Sequence, residues 1–172
     1  MFKMAAAMAA LLWCCAGAAA QGTKPNDAQI AHIAYTAGQI DIEAAGLALQ
    51  KSKSPEVRAF AEDMQRDHKA VNDQALTLVK KLNVTPLDND TSKALVAQAD
   101  AKQASLKKLD GAAFDKAYAE NEVAYHKTVN GALESTLIPS ATNPELKTLL
   151  TTGLKIFQGH QQHAEHVLQS LK

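Results

Sequence analysis

The sequence predicts an all-α helical bundle. Three observations carry this. Helix formers such as Ala, Leu, Lys, Gln and Glu dominate beyond residue 25, and the eight glycines and five prolines fall mostly between periodic segments. No run of alternating β-branched residues, and no strand pair around a tight turn, interrupts the helical pattern.

The punctuation divides the chain into five helices. Pro25-Asn26-Asp27 opens the first, expected to reach about Lys51. Ser54-Pro55-Glu56 supplies an N-cap serine with proline at the first helical position, and opens a second that ends near Leu82. The turn VTPLDND, with caps among Asp88 to Asp90, leads into a third helix ending near Leu109. Asp110-Gly111 breaks the chain, and a fourth helix runs from about Ala112 to Leu137. IPSATNPEL repeats the proline device, with Asn143 as cap and Pro144 behind it, and starts a fifth helix to the C-terminus.

Helices one, two, four and five each hold about 25 to 30 residues, roughly 40 Å at 1.5 Å per residue. The third, SKALVAQADAKQASLKKL, is shorter and more polar. A simple up-and-down bundle has no need of it. A bundle whose second and third core helices run parallel does, because the chain must travel back along the bundle, and about 18 helical residues cover roughly 27 Å. The expected architecture is therefore a ferritin-like four-helix bundle with residues 91–109 as an additional crossover helix between the second and third core helices.

Ahead of the bundle the chain reads MFKMAAAMAALLWCCAGAAAQG: Lys3, an apolar run from Met4 to Cys15, then small residues ending at Ala20. This is the layout of a secretory signal peptide with cleavage expected after Ala20. Residues 21–25 then form a short linker and 26–172 the bundle domain. The apolar run is short of the roughly 20 residues that a spanning helix needs. Lipid anchoring through Cys14 or Cys15 is disfavoured by the bulky Leu-Leu-Trp before them. Cleavage removes both cysteines and the single tryptophan, so the mature chain has no disulfide in a compartment, periplasmic or extracellular, that would permit one. Loss of Lys3 tips a chain of zero formal charge to slightly acidic, which points away from nucleic acid and anionic membranes and leaves an envelope protein as the partner class.

Helical periodicity places the histidines. In the second helix Val57, Phe60, Ala61, Met64, His68, Val71, Ala75, Leu78 and Leu82 share one face, so His68 points inward. In the fifth, Leu146, Leu150, Gly153, Phe157, His160, Ala164, Val167 and Leu171 do the same for His160. His163 lies about 60° round from it and His166 about 120°, so FQGHQQHAEHV is not one three-histidine site. The fourth helix presents Phe114, Tyr118, Tyr125, Val129 and Leu133, with Glu122 and His126 as an i, i+4 pair beside them. The first buries Ile30, Ile33, Ala37, Ile40, Ala44 and Leu47, flanked on opposite sides by Asp41 and Glu43. Counted from their helix starts, His68 and His126 stand at one level, with His160 and Glu43 in the same middle zone.

FAEDMQRDHKAVN, then LDGAAFDKAYAENEVAYHK, then His160 in the last helix resemble the secreted bacterial proteins of domain-of-unknown-function family 4142. That family is often labelled as outer-membrane proteins and is placed in the ferritin-like superfamily. The resemblance runs from about Ile30 to Leu168. It carries over Glu43, Phe60, Met64, Asp67, His68, Phe114, Asp115, Tyr118, His126 and His160, and it implies the fold without an activity.

Ferritin-like di-iron sites need a Glu on each of two helices and a Glu-x-x-His on each of the other two, and no Glu-x-x-His occurs here. A mononuclear site is less demanding. His68, His126 and His160 with Glu43 have the donor types for one zinc, copper or iron ion, with Glu122, Asp41 and His163 as secondary ligands. Taken singly, each inward histidine reads as a register-fixing hydrogen bond to a neighbouring helix. No nucleophile elbow and no phosphate loop occurs, and the mature chain lacks cysteine, so no catalytic residue is assigned. Three readings follow: a secreted, non-enzymatic envelope or stress-related binding protein, a metal-binding bundle, and a protein-interaction module.

Overall fold

The structure is a computed structural model that describes residues 24–171. The expected leader, with Cys14 and Cys15, lies outside the described residues. Five helices make up the fold, and no strand occurs among the described residues: α1 (Asp27–Lys51), α2 (Pro55–Lys81), α3 (Asp90–Leu106), α4 (Gly111–Ala132) and α5 (Pro144–Ser170).

The caps are the ones the sequence announces. Asn26 and Gln29 form a reciprocal capping box on α1. The Ser54 hydroxyl accepts from the Val57 N–H ahead of Pro55. Asn89 caps α3 with Ser92, and Asn143 accepts from Glu145 and Leu146 at the start of α5. Gly111, at φ 55°, makes the left-handed turn into α4.

Two boundaries differ from expectation. α3 ends at Leu106, three residues early, so a short turn leads into α4. The regular α4 ends at Ala132, yet the helical path continues past the expected Leu137. Pro139 has no N–H for an i−4 carbonyl, and the helix absorbs the defect by widening into a π turn over Leu133–Leu137, in which Ile138 N–H reaches the Leu133 carbonyl. A final turn, Ile138–Ser140, follows.

Polar ties fix which ends meet. At one end, Asp27 accepts from the Thr142 N–H at 2.8 Å and the Asn143 N–H at 2.8 Å, joining the start of α1 to the start of α5. Leu87 N–H donates to the Ala28 carbonyl, so α3 begins at that end too. At the other end, Lys51 pairs with Asp110 at 2.8 Å and donates to the Lys107 carbonyl. The chain therefore runs down α1, up α2, down the crossover α3, up α4 and down α5. α1 packs on α2 and α4, α5 packs on the same two, and α3 lies outside against α1. α2 and α4 run parallel across the bundle, as the ferritin-like reading requires.

Two apolar clusters fill the ends of this bundle. Val57, Phe60, Met64, Phe114 and Tyr118 pack with Ala164 and Val167 near the α1–α2 turn. Ile30, Ile33, Leu133, Leu146, Leu150 and Phe157 pack at the other end. Between them lies a polar layer.

Candidate metal centre

The polar layer takes residues from all four core helices: Asp41 from α1, His68 from α2, Glu122 and His126 from α4, and His160 from α5. All five are buried. The three imidazoles stand at one level, with ring centroids 5.7 Å apart for His68–His126, 5.2 Å for His68–His160 and 5.6 Å for His126–His160. One nitrogen from each lies within 4.8 Å of the other two. A second group on the same criterion joins Asp41, Glu122 and His126.

Hydrogen bonding decides which nitrogens keep a lone pair. His126 Nδ1 is 3.0 Å from the Glu122 carbonyl, which can only accept, so Nδ1 carries the proton and Nε2 keeps its lone pair. His160 Nε2 is 3.0 Å from Asp67 Oδ2, so here Nε2–H donates and Nδ1 keeps the lone pair. The two remaining nitrogens, His126 Nε2 and His160 Nδ1, are buried without a hydrogen-bond partner, as are both ring nitrogens of His68. His68 Nε2 nonetheless stands 3.4 Å from Asp41 Oδ2. Buried polar atoms are nearly always paired, so unpaired nitrogens on three imidazoles that meet at one level are unusual for a purely structural core.

The electrostatics suit neutral imidazoles. Burial pushes His68 well below the ordinary histidine range, and the neighbouring imidazoles add to it. Burial lowers His126 to about 4. It lowers His160 as well, against the pull of Asp67. Asp67 resists its own partial burial because Arg66 and His160 donate to it, and its carboxyl stays below the usual range. Asp41 and Glu122 behave oppositely. Burial, then the nearby Glu122 carboxylate, holds Asp41 well above the ordinary carboxyl value, and burial raises Glu122 to about 7.

Not every expected ligand is gathered here. Glu43 is exposed and takes no part in either group. The inward carboxylate of α1 is Asp41, at 2 % exposure. The difference is one of rotation: α1 turns Asp41 onto the core side, in line with buried Ala37, Ala45 and Ala48, against His68 of α2 and Glu122 of α4. Glu122 and His126 are not a flank of α4 but its inner face, in line with buried Tyr118 and Asn130. His163 is half-buried, its ring edge-on to Phe60 at 5.1 Å and its Nδ1 3.9 Å from Asp63, outside the cluster. His166 is exposed. Asp67 as the partner of His160 was not foreseen. The signal was the Asp67-His68 dipeptide, whose side chains diverge by about 100°. The first therefore meets α5 while the second enters the core.

Three imidazoles with free lone pairs, backed by two buried carboxyls, form a donor set suited to one divalent transition ion. No curated protein sequence matches this chain. Among solved structures, "CopM in the Cu(II)-bound form" shares the fold with a TM-score of 0.64 at 18% identity, covering 85% of this chain and 98% of that one. The family model described as "Domain of unknown function (DUF4142)" matches residues 14–167, a span that includes every residue of the polar layer, and the chain belongs to that family.

Proposed function

We propose that this protein binds one divalent transition metal, copper by preference, through His68, His126 and His160. The carrying observation is the convergence of three imidazoles, one nitrogen of each within 4.8 Å of the others, in a core where His126 Nε2, His160 Nδ1 and both His68 nitrogens have no hydrogen-bond partner. In His126 and His160 the opposite ring nitrogen donates to a fixed acceptor, the arrangement that sets tautomer and orientation in metal-binding histidines. Their lowered proton affinity favours the neutral imidazole that a metal ligand must be.

Charge supports a cation here. A divalent ion beside neutral ligands in a dry core needs negative compensation, and Asp41 and Glu122, whose proton affinity burial raises, supply it from within the same layer by releasing their protons when the ion binds. Imidazole suits copper and zinc, and copper stands highest in the general order of divalent affinities. The copper named for the structural neighbour agrees with that preference. A secreted setting completes the reading: the leader-like residues 1–20 would deliver the chain to a compartment where a binding protein of this kind sequesters metal outside the cytoplasm.

Elemental analysis of untagged protein tests the site. Wild type is expected to hold close to one metal ion per chain after equilibration with Cu(II) and desalting, and His68→Ala and His160→Ala to hold almost none while staying helical by circular dichroism. Metal-free wild type whose variants merely melt earlier would end the proposal. Sequencing of the envelope-fraction protein tests delivery, with an N-terminus at Gln21 expected.

A further inference from the structure

The end of the bundle beyond the polar layer is not fully packed. A cavity of about 330 Å³ lies among the core helices, and side chains from α1, α2, α3, α4 and α5 line it. Its origin is legible residue by residue. Toward the α1–α2 turn the core positions hold Phe60, Met64, Phe114 and Tyr118. On the cavity side, facing positions hold Ala34 and Ala37 of α1, Ala75 of α2, Ala132 of α4 and Gly153 of α5. Five small side chains on four helices leave the space, and the π turn that follows α4 contributes Leu133 and Leu137 to its wall.

Protein interiors hold few voids larger than a water molecule, so a gap of this size is not ordinary packing slack. Water gains little there. The polar groups on the wall are the Asn72 amide and the hydroxyls of Thr91, Thr128 and Thr136, and the Asn72 amide already donates to the Tyr35 carbonyl at 3.3 Å. Among the described residues no charged side chain lines the cavity. Its volume falls at the lower end of the range of small-molecule pockets, about 300–1,000 Å³. It is roughly twice that of the ~150 Å³ apolar cavity known to take a benzene ring.

We infer that this cavity is a binding site for a neutral, apolar small molecule with the bulk of about two aromatic rings or a medium-length acyl chain. The wall offers such a ligand Val71, Val129, Leu146, Leu150 and Phe157, with threonine hydroxyls available for a single polar end. The site is separate from the metal centre but shares one wall with it: the Phe157 ring stacks on His68, centroids 4.5 Å apart and planes 7° from parallel. The inference does not require a bound metal.

The test uses metal-free, full-length mature protein and the fluorescent probe N-phenyl-1-naphthylamine. A saturable fluorescence rise at one probe per chain is expected, reversed by 1-decanol. Ala75→Phe and Ala34→Leu, each filling the space, are expected to weaken probe binding at least tenfold while raising or preserving Tm. Absence of saturable binding, binding that 1-decanol leaves in place, or binding unchanged in both folded variants would overturn the inference. Should a variant unfold, xenon-pressure NMR of the wild type decides: methyl shifts at Val71, Val129 and Leu150 are expected, and none there would overturn it.

Discussion

At the residue scale, the site rests on proton placement. His126 and His160 each carry their proton on the nitrogen that faces an acceptor, the Glu122 carbonyl and the Asp67 carboxylate respectively. The acceptor chooses the tautomer, and the tautomer aims the lone pair. Asp67→Ala leaves His160 in the core without its anchor, and loss of such a support weakens metal binding by about 10–100-fold. Competition titration against a chelator should find a loss of that order in a protein of unaltered helicity, with His163→Ala, outside the cluster, close to wild type. The histidines were legible in the sequence because their positions could be counted from helix starts that carry clear caps. The carboxylates were not. Asp41 and Glu43 flank the same apolar stripe, and only the rotation of α1 in the assembled bundle, which sets Asp41 against His68 of α2 and Glu122 of α4, distinguishes the buried one from the exposed one.

At the element scale, helix starts were readable and helix interiors less so. Ser54-Pro55 and Asn143-Pro144 announce their helices by local chemistry alone. Pro139 signals a defect in the helix, but whether the chain widens into a π turn or breaks there depends on what the widened turn packs against, which the local sequence does not specify. The contact between α1 and α2 was hidden for a similar reason. Gly38 faces Asn72, and a Cβ at position 38 would sit 2.5 Å from the Asn72 Oδ1 atom. The glycine therefore sets how closely the two helices approach. Gly38→Ala gains helix propensity but must displace a buried amide that donates to Tyr35, and overpacking of this kind costs about 1–3 kcal/mol. Urea unfolding should show that loss, and Gly131→Ala, where an added Cβ meets nothing within 4 Å, should be neutral or slightly stabilising.

At the scale of the whole molecule, an ionisable middle layer between two apolar ends makes stability depend on pH. His126 in the folded protein titrates at about 4, below the 6.5 of an unfolded chain. The unfolded state therefore binds the proton first as pH falls. The stability that neutral His126 provides is complete above pH 6.5 and is lost on the way down to about 4, by ~3 kcal/mol for this residue. His68 and His160 shift in the same direction. Glu122 has the opposite sign. Raised to about 7 from 4.5, it favours the folded state fully below pH 4.5, and that contribution is lost as pH rises through 7. Asp41, held well above the ordinary carboxyl value, shares the sign of Glu122. In urea unfolding of the metal-free proteins, Glu122→Gln should therefore gain relative to wild type at pH 8 and lose more stability than wild type between pH 6.5 and pH 4. Helix count, direction and the crossover were all legible from lengths and caps. The polar layer was legible only as levels, because which carboxylates close it depends on how the helices rotate in the assembled bundle.

Electron paramagnetic resonance of the Cu(II)-loaded protein reads the atoms bound to the ion, and so whether the core imidazoles hold it. One copper per chain with nitrogen hyperfine structure from imidazoles is expected. The pattern should change in each of His68→Ala, His126→Ala and His160→Ala and stay fixed in a His163→Ala/His166→Ala double variant. A spectrum that the three core substitutions leave unchanged, and that the surface double variant abolishes, would contradict a metal centre in the bundle core.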